Sequence, residues 1–290
     1  MKGLIVAGLL ACSAFAAGNE PKSSTDGYGE LVLIPGGAFK MGDNFGDGLP
    51  RERPVHTVDV DAFYIGKFEV TNGEFRKFRD DPAYEDVKLW PNGWVTPKNQ
   101  IPYWTQANNH GGGTANSDDY PVLGVNWDTA TAYCNWLSVK TGKKYRLPTE
   151  AEWEKAARGT DQRRYPWGNE IDHSYANYVG SDPKFDTGQK VGYYDGSKRG
   201  EFQTHNGASP YGVQDMAGNV MEWVNDWYSR DYYSVSPRKN PKGPATGAYR
   251  VTRGGSFFLE PFDLRTYARE AAWPSFQSHR MVGFRVARDQ

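Results

Sequence analysis

Cysteine is nearly absent from this chain of 290 residues: only Cys12 and Cys134 occur. If Cys12 leaves with a leader or becomes an anchor, Cys134 has no partner, so no internal disulfide can brace the fold. A chain of this length must rely on its core instead. An excess of either charge is also missing. Lys+Arg 34 against Asp+Glu 35 gives a net charge of −1, which leaves no basic field for nucleic acid or an anionic membrane. Histidine is scarce. His56, His110, His173, His205 and His279 show no i, i+4 pair and no two-histidine-plus-carboxylate spacing, so no metal site of that kind is written locally. Aromatic residues are plentiful at 14%, with 10 Trp, 18 Tyr and 33 Gly. That mix suits a compact, loop-rich domain whose large rings are buried between many turns. It excludes disorder, which needs few aromatics.

The first residues have the composition of a secretory signal. Lys2 is the positive start, and residues 3–11 form an apolar stretch too short to span a bilayer. Two processing sites compete: Ala14-Phe15-Ala16, cut after Ala16, and Leu9-Leu10-Ala11-Cys12, which has the form of a bacterial lipoprotein signal with Cys12 lipidated. The expected organisation is a signal peptide over 1–16, a polar linker over 17–29 and a single domain over 30–290. The expected location is the bacterial periplasm or, for a lipoprotein, the outer membrane; otherwise the protein is secreted. Any membrane contact would run through Cys12.

Along the domain, residues 31–34 form a short apolar strand turned by Pro35-Gly36-Gly37. Residues 57–61 alternate, with Val58 and Val60 on one face. Thr71 and Glu74 form a capping box, which predicts a helix that buries Phe75 and Phe78. Asn126 caps a second helix, whose buried stripe is Ala130, Tyr133, Cys134 and Leu137, and Gly142 ends it. Thr149 and Glu152 cap a third, which buries Trp153, Ala156 and Ala157 and stops at Gly159. Short strands and many turns follow. The fold class read from these elements is α+β with much irregular structure, in one domain.

Several short motifs stand in a fixed order. They are Gly36-Gly37-Ala38-Phe39-Lys40-Met41-Gly42, Glu69-Val70-Thr71-Asn72, Arg146-Leu147-Pro148-Thr149-Glu150-Ala151-Glu152-Trp153-Glu154, Pro166-Trp167-Gly168-Asn169, Asp215-Met216-Ala217-Gly218-Asn219-Val220-Met221-Glu222-Trp223, Arg253-Gly254-Gly255-Ser256 and Gly283-Phe284-Arg285. In this order they resemble the formylglycine-generating enzymes, also called sulfatase-modifying factors. The resemblance implies an elaborated C-type-lectin-like fold. It also implies structural calcium. Asp215, Gly218, Val220 and Glu222 match one site, and Asn177, Tyr178, Asp186 and Gly188 match the other. Carboxylates and turn carbonyls are the hard oxygen donors that calcium takes in numbers.

The chemistry implied by the resemblance is missing. The family oxidises a substrate cysteine with copper(I) held by two thiolates just after Arg-Gly-Gly-Ser. Aligned from Ser256, those positions are Leu259 and Leu264, which offer no soft ligand. The family's active-site tryptophan is Met221, and its His-Arg pair is Glu260-Pro261. No copper is therefore expected. In many relatives the cysteine matching Cys134 pairs with one at the position of Val286. Ser256, Glu260 and Asp263 remain as candidate catalytic groups. Met221, Ser256, Arg265 and Arg269 are expected to line a cleft rebuilt for an anionic or peptide ligand, because Arg pairs with carboxylates bidentately.

Two functions follow. One is a cell-envelope binding or accessory protein that uses the former substrate cleft for a protein, peptide or glycan partner. The other is a divergent periplasmic oxidoreductase acting on a small molecule, like the family's siderophore-maturation branch. If the chain is an enzyme, this second class is the one expected.

Overall fold

The computed structural model describes residues 23–98, 117–180, 188–274 and 281–290. Residues 1–22 lie outside that set, so the expected signal and the Cys12 anchor carry no structural account. The first strands are β1 (Ser23–Thr25), β2 (Glu30–Ile34), β3 (Gly37–Met41), β4 (His56–Val60) and β5 (Phe63–Gly66). Helix α1 (Asn72–Asp80), helix α2 (Trp127–Thr141), β6 (Tyr145–Arg146) and helix α3 (Glu150–Arg158) follow. Short strands β7 (Lys198–Arg199) and β8 (Phe202–Gln203) precede β9 (Met221–Trp227) and β10 (Arg250–Arg253). The last strands are β11 (Arg269–Ala272), β12 (Val282–Phe284) and β13 (Ala287–Asp289).

Two sheets frame the domain. The first runs β1-β2-β5-β13-β6 and is antiparallel throughout, so the last strand sits beside the earliest ones. The second runs β11-β10-β9-β12, with β12 parallel to β9. Strands β3 and β4 pair as a separate hairpin that buries Val58 and Val60 together, as their alternation predicts.

The helices start where the caps predict. The Thr71 and Thr149 hydroxyls accept from the N3 amides, and Glu74 and Glu152 return the bond. The Asn126 side chain accepts from Thr129 at 2.8 Å, and Gly142 closes α2 in the left-handed region at φ 69°. Phe75 and Phe78 of α1 face Tyr133, Trp136 and Leu137 of α2 in one core, which the second sheet completes through Trp223 and Phe284. Full burial of one such side chain stabilises by roughly 1.5–3 kcal/mol. A second core lies between the first sheet, the β3–β4 hairpin and α3, around Ile34, Phe63, Ile65 and Trp153.

Two expectations change. The linker does not extend to residue 29: β1 pairs with β2, Tyr28 packs edge-on against Trp136 at 5.3 Å, and Asp26 takes Lys143 and Tyr145. Helix α3 also buries far more than an apolar face. Glu150, Glu152, Glu154, Lys155 and Arg158 are buried along with Ala151, Trp153, Ala156 and Ala157.

Candidate functional site

Buried charge needs buried partners, and those partners account for the motifs. Arg285, from the C-terminal Gly-Phe-Arg, donates through Nε and Nη2 to Glu222 at 2.7 and 2.6 Å, and Trp153 Nε1 adds a third bond at 2.8 Å. Glu150 receives Arg269 through two bonds of 2.7 Å and Arg253 at 3.0 Å. Glu154 receives Arg253 at 2.7 Å and Arg158 at 2.9 Å. Burial alone would raise the Glu154 carboxyl. The two guanidiniums outweigh it and hold the group below its ordinary value.

This network corrects the expected cleft. Arg269 and Arg265 are both buried. Arg269 is held by Glu150 and by the carbonyls of Arg51 and Ser229. Arg265 bonds Asp47 at 3.0 Å and the Phe262 carbonyl at 2.5 Å, with its guanidinium 3.6 Å from the Phe262 ring centre. Neither presents a free fork to a ligand.

The positions that the resemblance aligns with the family's reactive centre border a small crevice beside the turn at residues 256–264. Ser256 is fully buried; its Oγ donates to Met281 Sδ at 3.4 Å and accepts from the Phe258 amide at 3.3 Å. Leu264 is fully buried in a cluster with Tyr165, Tyr178 and Ala217, and Leu259 packs on the same cluster. Met221, Leu259 and Asp263 line the crevice together with Glu52, Thr252 and Glu270. Its volume is about 10 Å³, roughly one water. Glu260 is exposed at the start of the 3-10 turn Pro261–Leu264 and stands outside the lining. Sequence reasoning missed Glu52, Thr252 and Glu270, because they come from distant segments. Burial raises the Glu52 carboxyl, against the opposing pull of the Leu49 amide and Arg265. Among the described residues the buried Thr252 hydroxyl has no hydrogen-bond partner. On the outer side of the turn, Phe258 is 67% exposed and Phe262 42%.

The first calcium match is a tight turn before β9. Asp215 sits at φ 58°, and Gly218 at φ 78° backs onto the Asn177 carbonyl so closely that a Cβ would lie 2.4 Å from that oxygen. Glu222 is not a free donor, since Arg285 and Trp153 occupy both of its oxygens. Instead Glu69, which the sequence did not single out, reaches Asp215. The two buried carboxyls lie within hydrogen-bonding distance of each other, and Asn219 Nδ2 donates to Glu69 Oε1 at 2.9 Å. Among the described residues no donor reaches Glu69 Oε2. Burial, reinforced by Asp215, pushes Glu69 well above its ordinary value, and burial raises Asp215 as well. Two crowded carboxyls with an orphaned oxygen fit a hard cation. Among the described residues no three His, Cys, Asp or Glu side chains converge, so backbone carbonyls would have to complete the shell. Of the second match, Asn177 is buried with its carbonyl taken by the Asn219 amide, and Tyr178 stacks on His173. Gly188 borders Val220, and Asp186 lies outside the described residues.

Comparison with known proteins decides the lineage. The model of the family described as "Sulfatase-modifying factor enzyme 1-like domain" matches residues 17–290. The chain belongs to this family. It is 37% identical to the formylglycine-generating enzyme of Thermomonospora curvata, over 89% of this chain and 93% of that one. It is 34% identical to the hercynine oxygenase of Mycolicibacterium smegmatis, over 90% of this chain and 61% of that one. Among solved structures, PvdO from Pseudomonas aeruginosa superposes with a TM-score of 0.71 at 26% identity, covering 94% of this chain and all of that one. The single α+β domain expected from the motifs is thus the fold of this sulfatase-modifying-factor domain. Cys134 offers no substitute thiolate in it: burial pushes its thiol far up, and Val286 packs in the same core.

Proposed function

We propose that this sulfatase-modifying-factor-domain protein is a binding or accessory protein of the cell envelope, and that it does not generate formylglycine. The observation that carries the reading is the turn at residues 256–264. The two positions that would hold copper are leucines, one of them fully buried, and the turn exposes Phe258 and Phe262 instead. Exposed rings beside polar groups mark interaction surfaces. A peptide segment of an envelope partner suits them. Calcium would be held by Glu69 and Asp215 with turn carbonyls, and would neutralise their charge rather than take part in chemistry. A photo-crosslinking residue at position 258 in the full chain, expressed in its own envelope, is expected to give one discrete adduct. Phe262→Ser should abolish it; adducts indifferent to Phe262, or none, would sink the reading.

The second reading, a divergent oxidoreductase, draws support from the likeness to hercynine oxygenase and from Glu52, whose raised carboxyl lines the crevice. Against it stands a crevice that admits about one water. Oxygen uptake that depends on a small-molecule substrate and is lost in Glu52→Gln would establish it.

A further inference from the structure

A second, roomier concavity lies apart from the crevice and shares no residue with it. It encloses about 480 Å³, a size typical of small-molecule sites. Its walls are set by bonds that do not need a ligand. On one side, the segment before Asn240 runs along the edge of β4, and Asn240, in the left-handed region at φ 46°, clamps Asp61. The Asp61 amide donates to Asn240 Oδ1 at 2.9 Å, and Asn240 Nδ2 donates to Asp61 Oδ2 at 2.7 Å. On the other side, Arg146 is gripped by Glu152 through two bonds of 2.7 Å and by Asp289 at 2.6 Å. Such a preformed frame would lose little order on binding.

Three polar groups on this frame have nothing to bind. The ammonium groups of Lys144 and Lys242 and the side-chain amide of Asn225 make no hydrogen bond or ion pair among the described residues. Charge balances across the lining, where Lys144, Arg146 and Lys242 face Asp61, Glu152 and Asp289. Arg146 takes Glu152 and Asp289, and Asp61 is held by Asn240 and by Lys239 at 3.6 Å, so among the described residues the two lysine ammoniums are the cations left without a bonded carboxylate. Asp289 is held below its ordinary value, first by the Arg146 bond, and the fields of Lys144 and Lys242 also reach it. The surrounding lining of amides, Thr149 and carboxylates offers both donors and acceptors, which suits hydroxyl groups.

We propose that this concavity binds a small polyhydroxylated molecule carrying one oxyanion, such as a phosphorylated or carboxylated sugar. The anion lies between Lys144 and Lys242, and hydroxyls meet Asn225 and the Asp61–Asn240 clamp. Titration calorimetry on the full chain would use glucose 6-phosphate, glucuronate, glucose and inorganic phosphate as probes. The two anionic sugars are expected to bind saturably, and glucose and phosphate more weakly. Lys144→Ala/Lys242→Ala, both exposed positions, should weaken the anionic sugars by about tenfold or more. Asn225→Ala should weaken the sugars and leave inorganic phosphate unchanged. Phosphate binding as tightly as any sugar would reduce the site to a bare anion contact and overturn the proposal. So would silence from all four probes, or affinities unmoved by the lysine variants.

Discussion

Arg285 shows what the family motifs are for in this chain. It is fully buried, and it satisfies Glu222 with two bonds while also donating to the carbonyls of Gly66 and Gln214. Removing one member of a buried pair strands the other, which costs about 3–5 kcal/mol. Arg285→Ala is therefore expected to lower the free energy of unfolding in urea by that amount; a loss under 1 kcal/mol would show that Glu222 finds water instead. Cys134 gives a second test at this scale. Its thiol is buried and held protonated, so mass spectrometry should find it unmodified by a thiol reagent in the native chain and modified in urea. Modification under native conditions would contradict the burial.

At the level of elements, what the sequence revealed and what it hid divide by distance along the chain. Caps and apolar stripes act within a turn or two, so α1, α2 and α3 could be read from Thr71, Asn126 and Thr149 with their neighbours. The buried ion network could not. Glu222 meets Arg285 63 residues away, Glu154 meets Arg253 99 away, and Glu150 meets Arg269 119 away. The sequence alone makes Arg265 and Arg269 look like cleft residues, because their carboxylate partners are invisible to any local pattern. Asp226 belongs to the same class: its Oδ2 accepts the Glu150 amide at the start of α3 from 76 residues away. Burial, then the nearby Glu150 carboxylate, pushes Asp226 well above its ordinary 3.8. A raised acid is penalised when charged in the fold. Its contribution to stability is fully present below about pH 3.8 and is lost as the pH rises towards the folded value. Asp226→Asn keeps an acceptor for the amide and has no charge to bury. Its stability should match the parent chain near pH 3.8 and exceed it at neutral pH. Equal stability across that range would mean that Asp226 ionises freely.

For the whole molecule, the chain keeps the family's frame, and the turn aligned with the family's reactive centre packs Leu259 and Leu264 against its neighbours. The proposed calcium would bear on the frame. If it sits at Glu69 and Asp215, adding calcium to chelator-treated protein should raise the midpoint of thermal unfolding, and Glu69→Gln/Asp215→Asn should erase that response. A response of equal size in the double variant would move the ion elsewhere. The central claim, that Leu259 and Leu264 end the copper chemistry, has a single direct test. The full chain would be loaded with copper(I), desalted, and incubated under air with a cysteine peptide from a sulfatase; copper per chain and peptide mass would then be read together. The expected result is no retained copper and no change at the peptide cysteine. One copper per chain with conversion of that cysteine to formylglycine would contradict the account.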